Sequence, residues 1–192
     1  MYEHGLAVLA LSEAWGQSKN PKLRKVLRDA VDVTLRAQND KGGWRYTPKP
    51  KDADLSMTAM HLVALNSARE AGIAVPQSTI DRAVKYVISC QNEETGGFTY
   101  HPTGRRGAGA FPISAAGPLA LILSGKRDDH SVRRGITYLK DYDDSKFSFE
   151  ESERGFPFFF YAHYYAIQVM YQSSEEDFKD WYPKILMTLL ET

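Results

Sequence analysis

Two kinds of apolar pattern alternate along the chain. Some segments, such as Met57–Leu65, are apolar on nearly every side, and helices of this kind are expected to be buried. Others, such as Leu23–Leu35 and Ile80–Ile88, carry a single apolar stripe at helical spacing, which is typical of a helix with one wet face. No segment alternates with period two for long enough to predict a strand. The pattern therefore predicts an all-α protein in which inner helices alternate with outer helices.

A repeat of about 54 residues underlies this alternation. The segment His4–Ala14 aligns with Thr58–Ala68, and the segment Gln38–Trp44 aligns with Gln91–Phe98. Both copies of the second segment begin with Gln-Asn, continue to Gly-Gly and an aromatic residue, and lead into an aromatic-x-Pro step. Because helix, turn and post-turn residues all agree, we infer a true internal repeat.

Two further copies are more divergent. The third helix pair is predicted over Ile113–Gly125 and Asp129–Tyr142, and the fourth over Phe158–Gln172 and Asp177–Leu190, with a Phe147-x-Phe149 segment in place of the double glycine. The approximate repeats are 1–46, 47–101, 102–149 and 150–192. We therefore predict one domain over residues 1–192, built as an arc of about four helical hairpins rather than a closed ring. Such an arc is a candidate fragment of a larger ring.

Residues at the helix boundaries agree with this division. Pro21 and Pro76 stand at predicted helix starts, where a missing N–H costs nothing. The glycine pairs allow a tight reversal after each outer helix. Asp54 and Ser56 are placed to cap the inner helix that follows them.

The turns and the cap carry a family resemblance. Gln38-x3-Gly42-Gly43-Trp44 and Gln91-x4-Gly96-Gly97-Phe98 resemble the glutamine–tryptophan repeats of squalene-hopene cyclases and the Gly-Gly-aromatic turns of prenyltransferase β-subunits. Asp54-x3-Thr58 before an Ala-Leu helix is similar to an element that both groups share. Nearly the whole chain resembles bacterial prenyltransferase/squalene-oxidase repeat proteins. The resemblance implies the α/α-toroid fold of the terpenoid cyclase and protein prenyltransferase superfamily.

The catalytic motifs of these relatives are incomplete in this chain. The cyclases protonate their substrate with an Asp-x-Asp-Asp motif, whereas Asp52-Ala53-Asp54-Leu55 lacks the third acid. Prenyltransferases hold zinc with Asp, Cys and His, but Cys90 lies on an outer helix without an Asp-x-Cys context. We therefore predict no intact catalytic motif, no metal site and no cofactor, and leave open whether the chain is a cyclase-like or prenyltransferase-like enzyme.

Composition limits the partners that the chain can have. It contains 24 Lys and Arg against 24 Asp and Glu, and this zero net charge argues against a nucleic-acid partner. No apolar run reaches the roughly 18 residues that a membrane span needs. The run Leu6–Leu11 lacks a basic leader, so no signal peptide is predicted. The lone Cys90 is compatible with the cytoplasm, but the localisation, and whether Met1 is the natural start, stay open.

Asp52 and Asp54 are the candidate acids. A buried carboxylic acid with a raised pKa can protonate an alkene or an epoxide. The simpler interpretation, which we favour, is an N-cap beside a solvated loop acid, since Asp is common at helix starts.

Aromatic residues supply most of the candidate ligand site. The chain has 11 Tyr, 9 Phe and 3 Trp, most densely over Phe156–Tyr165, and aromatic faces stabilise cations or pack on lipid chains. The candidate ligand-binding residues are Tyr46, His61, Tyr100, Arg105, Arg106, Phe160, Tyr161, His163 and Tyr164. The two arginines lie in a glycine-rich loop that suits an anion. The alternatives are inter-repeat packing for the rings, structural roles for the histidines and an exposed loop for the arginines.

Three functions follow from these features. We predict a binding or scaffold module for an apolar, isoprenoid-like ligand or for a protein partner, including a second copy that closes the arc. The first alternative is a terpene-cyclase-like enzyme that acts on a polyprenyl or triterpene substrate with Asp54 or Asp52 as the acid. The second is a carbohydrate-active α/α barrel, suggested by the aromatics and scattered carboxylates, although no acid pair stands out.

Overall fold

The structure, a computed structural model, describes residues 1–102, 110–141, Phe147 and 158–191. These residues contain eight helices and no strand, which confirms the predicted all-α class. The helices are α1 (Tyr2–Ser18), α2 (Pro21–Ala37), α3 (Leu55–Glu70), α4 (Gln77–Ser89), α5 (Phe111–Leu123), α6 (His130–Lys140), α7 (Phe159–Ser173) and α8 (Glu175–Glu191). The arrangement of the hairpins as a toroid arc stays a prediction.

The chain divides into two compact units. The first comprises Met1–Ser89 and Leu123–Gly125, and therefore contains α1 to α4. The second comprises Cys90–Ile122 and Lys126–Thr192, and contains most of α5 together with α6 to α8. Within the described residues, no helix is both long enough and apolar enough to cross a membrane.

The predicted inner and outer helices differ in burial as expected. Helix α3 is buried from Met57 through Asn66, and α5 from Phe111 through Ile122. The outer helix α2 instead buries one stripe, which includes Leu27, Val31 and Thr34. Hydrophobic burial on every side is therefore confined to the segments whose sequences are apolar on every side.

Helix α1, like α7, is a predicted inner helix with one exposed side. Its sequence is apolar on nearly every side, yet only Gly5, Val8 and Ser12 are buried. It packs against α2 and α3 on one side, and its opposite side is exposed. Leu6 is the one large apolar side chain exposed there, beside three alanines and several polar residues, so leaving this side in water costs less than exposing more large apolar side chains would.

Side-chain caps begin several of the described helices, among them α2, α3 and α6. The side chain of Asn20 accepts a hydrogen bond from Lys22 N at the start of α2, where Pro21 occupies the first position. The side chains of Asp54 and Asp129 cap α3 and α6 in the same way. Each cap satisfies a backbone N–H that the helix itself leaves unpaired.

Both glycine pairs turn the chain as predicted. Gly42 and Gly96 have φ values of +90° and +82°, in the left-handed region that favours glycine. A Cβ at Gly42 would lie 2.5 Å from the Arg82 carbonyl oxygen, and one at Gly96 would lie 2.7 Å from that of Arg134. Each glycine is therefore required both by its backbone angle and by a close approach to the next outer helix.

A glutamine side chain joins each turn to that same outer helix. Gln38 Nε2 donates to the Gly42 carbonyl (2.8 Å) and to the Thr79 carbonyl in the first turn of α4 (2.9 Å). Gln91 Nε2 donates in the same way to the carbonyls of Gly96 and Ser131, each at 2.8 Å, where Ser131 lies in the first turn of α6. The sequence repeat is therefore also a repeat of hydrogen bonds.

The substitution Gly42→Ala should lower the free energy of unfolding by at least about 3 kcal/mol, because it adds a backbone clash to the cost of a left-handed alanine. Gly72 is the matched control, since its φ is +89° but nothing lies within 4 Å of the position that a Cβ would occupy. Gly72→Ala should cost only about 1–2 kcal/mol. Chemical denaturation measures the free energy of unfolding of both variants. Equal losses would contradict the close approach of the Arg82 carbonyl to Gly42.

Candidate functional site

A charged cluster surrounds the candidate acids in the first unit. The Arg45 guanidinium lies between them, with Nη1 2.6 Å from Asp54 Oδ2 and Nε 3.5 Å from Asp52 Oδ2. The same guanidinium lies over the ring of Tyr46, 4.9 Å from its centroid. The N-terminal ammonium of Met1 donates to the Tyr46 carbonyl at 3.0 Å. The structure thus brings Asp52, Asp54 and Tyr46 together around Arg45.

Asp54 has a structural role at this cluster. It is fully buried, and its Oδ1 accepts a hydrogen bond from Met57 N at 2.8 Å as the N-cap of α3. Its other carboxylate oxygen accepts from Arg45. Its backbone pairs with Trp44 in an isolated antiparallel bridge, and its carbonyl accepts from the Thr58 hydroxyl at 2.7 Å. Asp52, by contrast, is exposed, with 59% of its side chain accessible.

The Thr58 hydroxyl connects the turn to the inner helix. It accepts a hydrogen bond from Trp44 N at 3.2 Å, and the buried indole of Trp44 donates to the Thr34 carbonyl at 2.8 Å. In the second unit the Ser114 hydroxyl accepts from Phe98 N at 2.7 Å. Trp44 and Phe98 are both fully buried. The packing interpretation therefore fits these two rings.

His61 is a buried imidazole on α3. It is fully buried, and within the described residues neither of its ring nitrogens has a hydrogen-bond partner. Its ring lies 5.3 Å from that of Trp44 and 6.5 Å from that of His4, measured between centroids. Burial lowers the pKa of His61 to about 3, and repulsion from His4 and the N-terminal ammonium contributes to the shift. His61 is consequently neutral at physiological pH.

His163 lies inside an aromatic cluster of the second unit. Four rings surround it at centroid distances between 4.5 and 6.1 Å, and these belong to Phe159, Phe111, Phe147 and Trp181. The cluster joins α5, α7 and α8, since Phe111 and Trp181 also stack on each other at 6.1 Å. His163 is therefore buried within this aromatic cluster.

The remaining candidate ligand residues differ in exposure. Tyr100, Phe160 and Tyr164 are exposed, whereas Tyr161 is half-buried beside the ring of Tyr165, 4.8 Å away. Arg105 and Arg106 lie outside the described residues. In the part of the chain that the structure describes, no three His, Cys, Asp or Glu side chains form a group that could hold a metal ion. Cys90 is buried directly after the second outer helix.

Comparison with known families shows the family of the chain. A model of the squalene-hopene cyclase C-terminal domain matches residues 57–174, well over half of the chain. The chain belongs to the squalene-hopene cyclase C-terminal domain family. No curated protein and no solved structure matches it at a significant level.

The match extends over five of the described helices, from α3 to α7. In this squalene-hopene cyclase C-terminal domain, the matched residues run from the first turn of α3 to the residue after α7. They include the second glutamine–glycine turn, nearly all of α3, the whole of α5, and every ring of the His163 cluster except Trp181. The family resemblance inferred from the turns is thereby confirmed.

Sequence reasoning missed Arg45 and Ser114. The signal for Arg45 was a lone cation between Trp44 and Tyr46 that faces two acids in the following loop. The signal for Ser114 was its place in the repeat, because it follows the second aromatic turn residue at the start of an inner helix, as Thr58 follows the first. The Phe111 and Trp181 rings that surround His163 have no signal in the sequence, since they come from distant helices.

Replacing His61 with leucine should flatten the pH dependence of stability. The folded state holds His61 neutral, so the unfolded state binds the proton first as the pH falls. The contribution of His61 is therefore fully present above pH 6.5 and is lost progressively as the pH falls from 6.5 toward 3. Between pH 7 and pH 5 this loss amounts to about 2 kcal/mol.

Urea unfolding of wild type and His61→Leu at pH 7, 6 and 5 measures this loss. The wild type should lose about 2 kcal/mol more than the variant over that range. His130→Leu is the control, because His130 is exposed at the start of α6. If the free energy of unfolding changed with pH equally in wild type and His61→Leu, the result would contradict a neutral, buried His61.

Proposed function

We propose that this chain is a non-catalytic binding and scaffold module of the squalene-hopene cyclase repeat type. The observation that carries the proposal is the engagement of Asp54, the better placed of the two candidate acids. Its carboxylate caps α3 through Met57 N and pairs with Arg45. A general acid has to present a proton to its substrate. Both oxygens of Asp54 instead accept hydrogen bonds from the protein.

The position of Asp52 supports the same proposal. Its side chain is 59% exposed, at the outer side of the Arg45 guanidinium. Cyclisation passes through cationic intermediates, which require a site that excludes water. An exposed loop carboxylate does not provide such a site.

Exposed apolar side chains supply the binding surfaces of the proposed module. Among the described residues they are concentrated on α7, the residue before it, and α8, and they are Phe158, Phe160, Tyr164, Tyr171, Tyr182, Met187, Leu189 and Leu190. Helices α1 and α2 expose one each, Leu6 and Val26. Contiguous exposed apolar patches are typical of sites that bind a partner or an apolar ligand. Tyr46 and Tyr100, also exposed, are further candidates for ligand contacts.

The alternative is a terpene-cyclase-like enzyme with Asp54 or Asp52 as the acid. Family membership favours it, because the matched family is that of the C-terminal domain of squalene-hopene cyclases. Under this alternative the Asp54 carboxylate would have to exchange its Arg45 partner for substrate.

Turnover assays test the proposal directly. The purified chain is incubated with squalene and with farnesyl and geranylgeranyl diphosphates, and the products are analysed by mass spectrometry. We expect no product, and a product that disappears in Asp54→Asn or Asp52→Asn would overturn the proposal.

The same variants separate a structural from a catalytic role. Asp54→Asn should lower the free energy of unfolding by roughly 2 kcal/mol, because it breaks a partly buried ion pair. Asp52→Asn should change it by no more than about 0.5 kcal/mol, since Asp52 is exposed. Equal costs would contradict the structural role of Asp54.

A further inference from the structure

A buried histidine lies where helix α1 packs against helix α3. His61 of α3 is fully buried, and among the residues that the structure describes neither nitrogen of its ring has a hydrogen-bond partner. Gly5 of α1 stands directly against this ring, because a Cβ added to the glycine would lie 3.4 Å from His61 Cε1 and 3.5 Å from His61 Nδ1. Helix α1 therefore covers the Nδ1 edge of the imidazole and keeps water away from it.

A second histidine, His4 of α1, is held close to the first. Its Nε2 lies 3.0 Å from the Ala30 carbonyl oxygen and 3.2 Å from the Thr34 hydroxyl. Because a carbonyl only accepts, Nε2 carries the hydrogen, and a further proton would bind at Nδ1. The rings of His4 and His61 are 6.5 Å apart between centroids. A proton on either imidazole therefore places a positive charge beside the other.

The helices around His61 offer it no counter-charge. The charges that act on its pKa belong to His4 and to the N-terminal ammonium, and both are positive. The carboxylates of α1, Glu3 and Glu13, are exposed, and so is every charged side chain of α2 and α4. Protonated His61 would consequently be repelled by α1 without being stabilised by its other neighbours.

The remaining charges of α3 and of the turn before it are placed or engaged elsewhere. Arg69 and Glu70 stand at the end of α3, about two turns beyond His61. Asp54 caps the start of the helix, and its carboxylate pairs with Arg45. A proton on His61 would therefore lack both a carboxylate and water as long as α1 covers the ring.

Helix α1 is the element that can yield. Of its 17 residues only Gly5, Val8 and Ser12 are buried, whereas α3 is buried from Met57 through Asn66. Local opening takes the element with the fewest buried contacts first. We propose that acid releases α1 from α3, so that the contact between Gly5 and His61 is a proton-sensitive switch that uncovers the buried side of α3. This switch belongs to the first unit and does not depend on the proposed scaffold function.

The direction of the switch follows from where the proton binds more tightly. With α1 docked, burial lowers the pKa of His61 to about 3, whereas a hydrated imidazole has a pKa of 6.5. The released state therefore binds the proton first, so docking is strongest above pH 6.5 and weakens as the pH falls toward 3. Between pH 7 and pH 5 the equilibrium should shift about 25-fold toward released α1.

Amide hydrogen–deuterium exchange, followed by mass spectrometry at pH 7 and pH 5, measures the opening of each helix. After correction for the intrinsic exchange rate, α1 should open more readily than α4, which packs against α3. The opening equilibrium of α1 should rise about 25-fold from pH 7 to pH 5 in wild type and should not change with pH in His61→Leu. His130→Leu, which alters an exposed histidine of α6, should respond like wild type.

Two alanine variants of α1 test the close approach separately from the proton. A Cβ at Gly5 would lie 2.8 Å from Met60 Cγ, whereas nothing lies within 4 Å of the position that a Cβ would occupy at Gly16. Gly5→Ala should therefore raise the opening of α1 by the same factor at pH 7 and pH 5. Gly16→Ala, the matched control, should not raise it at either pH.

Four outcomes would overturn the inference. These are an α1 whose corrected exchange is equal at the two pH values, an α1 that opens only together with α4, a His61→Leu variant that keeps the wild-type response, and a Gly5→Ala variant that opens no more than Gly16→Ala. Circular dichroism confirms that each variant is folded, and His61→Met replaces His61→Leu if that variant does not fold. None of these results bears on turnover, so the scaffold proposal is tested separately by the product assay.

Discussion

The amides of Gln38 and Gln91 bond to two carbonyls each, one in their own turn and one in the first turn of the next outer helix. This double hydrogen bond fixes where each turn lies against the following helix. Gly42 and Gly96 can then have no side chain, because the carbonyl of Arg82 or Arg134 occupies the space where a Cβ would stand. The glycine requirement is thus a consequence of how closely the glutamine holds the two segments together.

The aromatic residue after each turn depends on the same arrangement. Once the turn is fixed, the backbone N–H of Trp44 or Phe98 faces the hydroxyl of Thr58 or Ser114 on the inner helix. In the first copy, Thr58 also bonds to the Asp54 carbonyl, and Asp54 caps the helix. The residue that most resembles a catalytic acid is therefore part of the connection between turn and inner helix. Its engagement there supports a scaffold rather than a catalyst.

Much of the fold could be predicted because its signals are local. The stripe of α2, the left-handed glycines and the Asp54 cap each depend on a few neighbouring residues, and a repeat shows such signals twice. The exposure of α1 could not be predicted in this way. Apolar composition indicates that a helix can be buried, but the presence of a covering helix is a property of the whole arrangement.

The residue types of the candidate site can be read from the sequence, but the contacts between their side chains cannot. Asp52, Asp54 and Tyr46 are indeed neighbours, but Arg45 joins them through the geometry of a loop. His61 was visible as a histidine on an apolar helix, whereas its lack of a hydrogen-bond partner among the described residues depends on the packing of α1 and Trp44 around it. The rings around His163 come from α5, α7 and α8, so no local pattern could indicate them.

The two glutamine amides are thus expected to hold equivalent turns in equivalent ways. The most direct test is the free energy of unfolding of Gln38→Met and Gln91→Met, each of which removes the donor from two carbonyls. We predict a loss of about 2 kcal/mol for Gln91→Met and a loss at least as large for Gln38→Met, because Gln38 Oε1 also accepts a hydrogen bond from Arg82. Gln77→Met, whose exposed amide bonds to the side chains of Arg69 and Asp81, should cause a negligible change. Losses at Gln38 and Gln91 no larger than that at Gln77 would contradict this expectation.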